Sequence, residues 1–359
     1  MKKTSVSNII IGCLIAVILI SSGYAVYKYR TVDKGMIGSE ADMLDSYKNI
    51  NVMLTRPDNW HKINSKTIIS SYAEFAGIDG STATVPITAE LARQFCNADD
   101  DEISHYTAHN TTDVAYENLI YGRENRVSWS VYVQNSNDGS YKDYSYSNRV
   151  RLVFATPPSE DEYAMAEREN ITLEAEPVAL DGFVFITHKD NPVDSLTVEQ
   201  IQDIYSGKIT NWKDVGGKDE KIRAFQRTKN SGSQTAMEEL VMKRKKLADP
   251  PIAFVSEGMG DLVDAVAEYE NETAAIGYTY YYYLNNLYKN PDIKVLNIDG
   301  ISPENENLVS KKYPFSTAYY AVMSSSEPEG SVYRKLRDYL LSDEGQEIIR
   351  LAGYCPVNG

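Results

Sequence analysis

Cysteine and histidine are scarce in this chain, and the patterns that make them reactive are absent. The 359 residues include three cysteines, Cys13, Cys96 and Cys355, and four histidines, with no CxxC pair. A zinc ribbon and a thioredoxin-type redox motif both need that pair, so neither is available. His105 and His109 stand at i and i+4 without an adjacent ligand motif, which disfavours a metal site. Cys96 and Cys355 are candidates for a disulfide or for two separately buried thiols, and the sequence leaves both alternatives open.

Positive charge is also in deficit. Lys and Arg together number 36 against 51 Asp and Glu, which gives a formal net charge of −15. Nucleic acids and anionic lipid surfaces need a positive face that releases counterions, so the charge argues against both as partners. A small anion is not excluded, because local hydrogen-bond donors at a helix N-terminus can bind it whatever the overall field.

Signatures of catalysis are missing as well. The chain has no GxSxG, no HExxH and no Walker loop, and Gly258-Met-Gly260 lacks the third glycine and preceding strand of a dinucleotide fingerprint. We therefore predict a binding protein that is not an enzyme and carries no cofactor and no metal.

An apolar run near the start of the chain is long enough to span a bilayer. It extends from Ile9 to Tyr27 and follows Lys2 and Lys3. The segment 1–28 is predicted to be a signal peptide cleaved near 21–23, a retained anchor helix, or a lipoprotein signal in which Cys13 of the lipobox-like IIGC is acylated. All three alternatives place the rest of the chain outside the cell, at the extracellular face of the membrane.

The remainder reads as a stalk followed by a two-lobed α/β protein. Residues 29–65 mix Gly, Ser, Asp and Lys with little periodicity, which suits a stalk. Beyond them, short apolar runs such as Phe183-Val-Phe-Ile186 alternate with helical patterns, and this alternation predicts a largely parallel sheet. Thr197 and Gln200 form a capping box that opens a helix. At the far end, one helix with apolar spacing of four is followed by a second that Ser342 caps.

Two hydroxyl-rich segments stand at predicted helix starts. Residues 80–84 (GSTAT) precede Pro86, which suits the first turn of a helix, and Ser231-Gly232-Ser233 precede a helical stretch over 234–242. Such residues are ordinary helix caps, and either segment alone is explained by capping. Arg227, four residues before Ser231, adds a guanidinium with planar paired donors, which suits a tetrahedral oxyanion.

The order and spacing of several motifs resemble the phosphate-binding proteins of bacterial ABC importers. The resemblance runs from about Ile78 to Pro356, and its most specific stretch is residues 191–217, NPVDSLTVEQIQDIYSGKITNWKDVGG. Further motifs follow in the family's order: RTKNSGS at 227–233, AIGY at 275–278, SDEGQ at 342–346 and GYCP at 353–356.

The resemblance implies a two-lobed type II periplasmic-binding-protein fold. In this chain it places lobe I at 66–179 and 315–359 and lobe II at 180–314. It also implies an extracellular solute-binding protein that captures inorganic phosphate between the lobes and delivers it to the permease and ATPase of an ABC importer. A sensor or adhesive ectodomain without transport, and a binder of another oxyanion such as sulfate, are the alternatives.

The resemblance also implies the site residues. Lobe I offers the loop of Ser81, Thr82 and Ala83 and a further hydroxyl at Thr112, and lobe II closes on the anion with Arg227, Ser231, Gly232 and Ser233. Thr156 aligns where the family has an aspartate that accepts the hydrogen of protonated phosphate, so rejection of sulfate would depend on Glu160 or Asp161 reaching in. A Tyr-, Ser- and Asn-rich loop over 127–148 is predicted to be an insertion.

Overall fold

The computed structural model describes residues 59–132, 141–243, 245–250, 254–256, 258–269 and 273–358. The predicted signal or anchor segment, Cys13 and the stalk as far as residue 58 lie outside the described residues. Within the described residues no helix is both long enough and apolar enough to cross a bilayer.

One long strand, β5 (Leu173–His188), takes part in both halves of the main sheet. Its first part pairs with β13 (Ser316–Ser324) and with β14 (Cys355–Pro356). On the far side of β13 the order continues through β4 (Leu152–Ala155) to β1 (Ile78–Gly80). We call this half, with the helices packed on it, lobe I.

The second part of β5 belongs to the other half, lobe II. It pairs with β10 (Ala275–Tyr280) and β11 (Ile293–Val295), and β10 continues to β7 (Arg223–Ala224). The change of partner falls between Gly182, opposite Ser316, and Phe183, opposite Tyr280. The two-lobed α/β architecture is confirmed, while the domain limits at 179/180 and 314/315 stay predictions.

The expectation of a largely parallel sheet is wrong. Only the β1–β4 and β10–β7 pairs of the main sheet are parallel, and every named pair of β5 is antiparallel. The physical reason is the path of the chain. It leaves lobe I along β5 and returns beside it along β13, and a strand that returns next to its predecessor runs antiparallel.

The predicted helix starts are present. The Thr197 hydroxyl accepts from the Gln200 amide at 3.1 Å, and Gln200 Oε1 accepts from the Thr197 amide at 2.8 Å. The helices of the described residues are α1 (Tyr72–Ala76), α2 (Val85–Cys96), α3 (Thr112–Tyr121), α4 (Glu160–Arg168), α5 (Val198–Tyr205), α6 (Gly232–Ala236), α7 (Met259–Ala267), α8 (Asn305–Val309), α9 (Val332–Leu340) and α10 (Asp343–Leu351). After Ala236 the predicted helix over 234–242 continues as a π-helical segment, Met237–Met242.

Short strands and turns complete the described fold. Two further strand pairs are parallel: β6 (Ser195–Leu196) with β12 (Asn297–Ile298), and β8 (Gln226–Arg227) with β9 (Val255–Ser256). A second π-helical segment, Tyr283–Leu287, follows β10.

The described residues of the predicted 127–148 loop lie in two paired strands. Strand β2 (Glu124–Tyr132) pairs in register with β3 (Tyr141–Arg149), and the tip between them lies outside the described residues. On one face, the Trp129 ring lies 4.5 Å from Tyr72, 4.3 Å from His105 and 5.3 Å from Tyr144, measured between ring centroids. This aromatic stack attaches the hairpin to α1 and to the segment before α3.

Cys96, Cys355 and a cluster of five tyrosines contribute to packing in the described part of the chain. Cys96 and Cys355 are free thiols, so the disulfide alternative is not realised. Tyr278 and Tyr280 to Tyr283 lie at or just after β10, and four of these five side chains are buried.

A buried carboxylate marks the place where β5 changes partner. Asp181 Oδ1 accepts from the amides of Gly182 at 2.7 Å and Tyr282 at 3.0 Å, while Oδ2 is buried with no hydrogen-bond partner among the described residues. Burial raises the pKa of Asp181 to about 7. The same residue lines a cavity of about 570 Å³ whose walls come from both lobes.

Candidate functional site

The first predicted anion loop follows β1 directly. Ser81 is extended, and residues Thr82–Thr84 form a 3₁₀ turn that leads into α2 with Pro86 in its first turn. The Ser81 amide donates to the Phe154 carbonyl at 3.0 Å, and the Thr84 hydroxyl donates to the same carbonyl at 2.6 Å. The Thr82 and Ala83 amides, at the start of the turn, have no carbonyl of the turn to donate to. The loop is therefore fixed beside β4 with its next two amides directed outward from the turn.

His109 holds this loop in place, a role that the sequence did not reveal. Its Nδ1 lies 2.9 Å from the Ser81 carbonyl, so Nδ1 carries the proton and donates. Nε2 then accepts from the Thr88 hydroxyl at 2.8 Å. Burial lowers the pKa of His109, which keeps the ring neutral. No group of three or more His, Cys, Asp or Glu side chains in the described part of the chain is placed to hold a metal ion.

Asp79 connects the same loop to the segment that carries Thr112. Its carboxylate is fully buried and accepts from the Gly80 amide at 2.7 Å, the Asn110 amide at 2.9 Å, the Asn110 side chain at 2.8 Å and the Asn118 side chain at 2.9 Å. Four donors to one carboxylate leave little freedom in the segment before α3. Asp79 thus positions Thr112, the first residue of α3, relative to β1.

The second predicted loop lies in lobe II between β8 and α6. The Arg227 guanidinium is buried and donates to the Ser256 carbonyl at 3.0 Å and to the Ser233 hydroxyl at 3.2 Å. Its backbone amide donates to the Tyr278 hydroxyl at 2.9 Å. Desolvation by burial lowers the pKa of Arg227, although its ordinary value is so high that the group stays charged. A buried cation is costly in this environment, and a bound anion would offset that cost.

Ser231 and Gly232 form the start of α6. The Ser231 hydroxyl accepts from the Gln234 amide at 3.3 Å, so this side chain caps its own helix. The Gly232 carbonyl accepts from the Tyr280 hydroxyl at 3.0 Å. The capping explanation that the sequence allowed for Ser231 therefore holds.

Gly232 is a point of close approach between the two lobes. A Cβ built on Gly232 would lie 2.6 Å from Thr156 Oγ1 and 2.8 Å from Thr112 Oγ1, both residues of lobe I. Both threonines are buried, and Thr156 Oγ1 has no hydrogen-bond partner among the described residues. The structure thus brings together Thr112, Thr156 and Gly232, with Ser233 and Arg227 directly behind Gly232.

The groups in this arrangement are ones that can bind a small anion. Hydroxyls of lobe I face the N-terminus of α6 in lobe II, and Arg227 supplies the buried positive charge. Amides and hydroxyls donate to oxyanion oxygens, and a guanidinium adds charge-assisted hydrogen bonds.

The comparison with protein families agrees with this geometry. Residues 78–344, about three quarters of the chain, match the PBP superfamily domain. The chain belongs to the PBP superfamily.

Several relatives of this chain are named phosphate-binding proteins. The chain is 29% identical over 195 residues to the phosphate-binding protein PstS of Bacillus subtilis, which is 53% of this chain and 61% of that protein. It is 24% identical over 279 residues to the protein of the same name from Staphylococcus saprophyticus, covering 75% and 76%. The matches to PstS of B. subtilis and of Borreliella burgdorferi span less than two thirds of those relatives' lengths.

A solved structure from Clostridium perfringens is also similar. It is described as a candidate phosphate ABC transporter substrate-binding protein with bound phosphate, and it is 26% identical to this chain. The TM-score is 0.54, and the superposition covers 78% of this chain and 98% of that one.

In this member of the PBP superfamily, Thr156 stands where relatives are expected to have an aspartate, and neither Glu160 nor Asp161 turns into the site to replace it. Glu160 is exposed, and Asp161 is 51% exposed and bonded to Lys229. Glu162 is the buried one. Its Oε2 accepts from the Ser159 amide at 2.6 Å, its Oε1 has no hydrogen-bond partner among the described residues, and burial raises its pKa to about 7. Glu162 is the capping-box residue of α4, which a Ser-x-x-Glu pattern at 159–162 signals in the sequence.

Proposed function

We propose that this chain is an extracytoplasmic binding protein that captures inorganic phosphate between its two lobes and delivers it to an ABC importer. The observation that carries the proposal is the convergence at Gly232, where hydroxyls from lobe I meet the start of α6 and the buried Arg227 of lobe II. Donors from both lobes reach one place, so an anion bound there stabilises the closed form.

The site residues carried over from the family are part of this proposal. We assign contacts with phosphate to the amides of Thr82, Ala83 and Gly232, to the hydroxyls of Ser81, Thr112, Thr156, Ser231 and Ser233, and to the Arg227 guanidinium. The neutral His109 and the fully bonded Asp79 support the lobe I part without contacting the ligand.

The transport role follows from the relatives. Proteins named for phosphate binding and a structure described as an ABC-transporter binding protein support import rather than catalysis. The partners would be a permease and an ATPase, with the chain held at the extracellular face of the membrane by its N-terminal segment.

Replacement of Arg227 tests the proposal. Arg227→Ala should weaken phosphate binding about ten- to hundredfold, since a charge-assisted hydrogen bond contributes about 1.5–3 kcal/mol. Isothermal titration calorimetry on the full chain measures the affinity, and circular dichroism checks the fold. Arg223→Ala is the matched control, because Arg223 lies on the neighbouring strand β7 with its guanidinium over Phe254. Equal affinity in the parent and Arg227→Ala would remove Arg227 from the site.

Sulfate is a second candidate ligand, and Thr156 is the observation that favours it. A hydroxyl rotates to donate or to accept, whereas a carboxylate would repel a fully ionised oxyanion. Competition titrations of the parent with phosphate and sulfate decide between the ligands. Exclusion of sulfate by more than about a thousandfold, roughly 4 kcal/mol, would show that Thr156 does not relax selectivity.

A further inference from the structure

An ion pair crosses the cleft beside the second predicted anion loop, residues 231–233 of lobe II. Lys229 Nζ of lobe II lies 2.6 Å from Asp161 Oδ2 of lobe I. The Asn230 side chain also donates to the Asp161 carboxylate. Asp161 stands in the first turn of α4, which shares a buried core with α3 and β4 of lobe I. Two consecutive residues of lobe II are thus held by one carboxylate of the other lobe.

The two bonded residues form the turn that presents the anion-binding segment. Asn230 has a φ of 63°, in the left-handed region, and it directly precedes Ser231, the N-cap of α6. The Ser231 amide donates back to the Thr228 carbonyl at 3.2 Å, which closes the turn. A contact that holds Lys229 and Asn230 therefore fixes the direction in which the Ser231 hydroxyl and the Gly232 amide point.

A second contact joins the same helix end to lobe II. The Glu239 carboxylate, from the π-helical segment after α6, accepts from the backbone of Glu160. The start of α4 is consequently bonded both to the turn before α6 and to the segment after it.

We propose that Asp161 is a positioning residue for the anion site: it latches the 229–230 turn of lobe II to α4 of lobe I when the lobes close. The inference rests on the proposed function, because it concerns how tightly the same cleft holds phosphate. Asp161 does not touch the anion. It adds a bond that exists only in the closed form and so slows release of the ligand.

The expected effect is small but measurable. Lys229 is 73% exposed and Asp161 is 51% exposed, and water screens such pairs strongly. We expect Asp161→Asn and Lys229→Ala each to weaken phosphate binding about three- to tenfold. The double variant should be no weaker than the worse single variant, because both changes remove the same contact.

The sign of the change in phosphate affinity distinguishes a latch from electrostatic repulsion between the Asp161 carboxylate and the anion. A carboxylate that acted only through its negative charge near the anion would make Asp161→Asn bind phosphate more tightly. Exchange of the two charges, Asp161→Lys with Lys229→Asp, should restore part of the lost affinity if the contact itself matters.

An ion pair of the same kind within one lobe provides the control. Lys213 and Asp219 both lie in lobe II at 3.0 Å and are similarly exposed. Lys213→Ala should leave phosphate affinity within about twofold of the parent.

The experiment combines phosphate calorimetry on these full-length variants with zero-length carbodiimide cross-linking of the parent, read by mass spectrometry. Cross-linking is irreversible and traps the closed form whenever the free protein visits it, so it tests the contact even without phosphate. A parent that does not bind phosphate in the calorimetry would instead refute the proposed function. A Lys229–Asp161 cross-link that increases with phosphate, while the Lys213–Asp219 cross-link stays constant, supports the latch. Three results would each overturn the latch. The first is absence of the Lys229–Asp161 cross-link while the Lys213–Asp219 cross-link forms. The others are phosphate binding by Asp161→Asn that is unchanged or tighter, and additive losses of affinity in the double variant.

Discussion

At the scale of single residues, Gly232 is a position where a side chain would meet the opposite lobe. Any Cβ there would meet two hydroxyls of the opposite lobe at less than 3 Å, a separation that real contacts do not tolerate. The clash lies between the lobes and not within either core. Its cost therefore falls on closure rather than on folding.

Gly232→Ala is expected to weaken phosphate binding by at least tenfold while leaving the melting temperature without phosphate close to that of the parent. Thermal melts with and without phosphate measure both quantities on one sample. Gly330→Ala is the control, because a Cβ at Gly330 meets nothing within 4 Å. A Gly232→Ala protein that gains as much stability from phosphate as the parent would show that the lobes do not approach this closely.

Asp181 makes stability depend on pH. Its folded-state pKa of about 7 lies above the ordinary value near 4, so the folded protein binds the proton more tightly than the unfolded chain. The resulting stability is fully present below pH 4 and is lost as the pH rises towards 7. Each pKa unit corresponds to about 1.4 kcal/mol.

Asp181→Asn should therefore be more stable than the parent at pH 8, by an amount of the order of a few kcal/mol, and similar to it at pH 4. The asparagine oxygen can still accept from the two amides that Oδ1 now bonds. Urea unfolding at both pH values measures the difference. Asp190→Asn, at an exposed carboxyl, should change little. A destabilised Asp181→Asn at pH 8 would mean that the carboxylate charge is needed.

The sequence indicated the residues of the proposed anion site better than the residues that hold them in position. Hydroxyls at helix starts and Arg227 are visible as local patterns, and the structure places Thr112 and Thr156 beside Gly232. His109 and Asp79 are different, because their partners lie 28 and 31 residues away in the chain. No local pattern distinguishes a histidine that donates to a distant carbonyl from one that binds a metal.

At the scale of elements, helix boundaries were predicted from the side chains that cap them. Thr197 and Ser342 begin their helices as expected, because a cap depends on residues three positions apart. The β2–β3 hairpin was missed. Its face alternates Val127, Trp129 and Val131 with serines, but the partner strand β3 contains no aliphatic residue and so lacks the apolar alternation that identifies a strand.

The aromatic stack should stabilise that hairpin locally. Trp129→Ala removes contacts to Tyr72, His105 and Tyr144. The backbone amides of β2 and β3 should then exchange hydrogen at least about tenfold faster. Phosphate affinity should stay within about twofold of the parent. Hydrogen exchange read by mass spectrometry measures the first, and calorimetry the second. Val131→Ala, partly exposed on the same strand, is the control. A large loss of phosphate binding would show that the hairpin supports the cleft.

At the scale of the whole molecule, length and the alternation of strands and helices were enough to indicate two lobes. They were not enough to indicate how the chain crosses between them. Strand direction depends on where the chain returns, and that is decided by pairings between residues more than a hundred positions apart, such as Leu180 with Ala318. The acidic composition likewise says nothing about the cleft, where the buried Arg227 guanidinium lies behind the hydroxyls.

The continuity of β5 has a mechanical consequence. A flexible linker between two bodies lets them rotate freely, whereas an unbroken strand paired in both sheets resists rotation through its own twist. Movement of one lobe against the other must then be taken up as torsion around Gly182. Any ligand that changes the angle between the lobes therefore also changes the twist of β5, so binding in the cleft and the torsion of this strand are coupled.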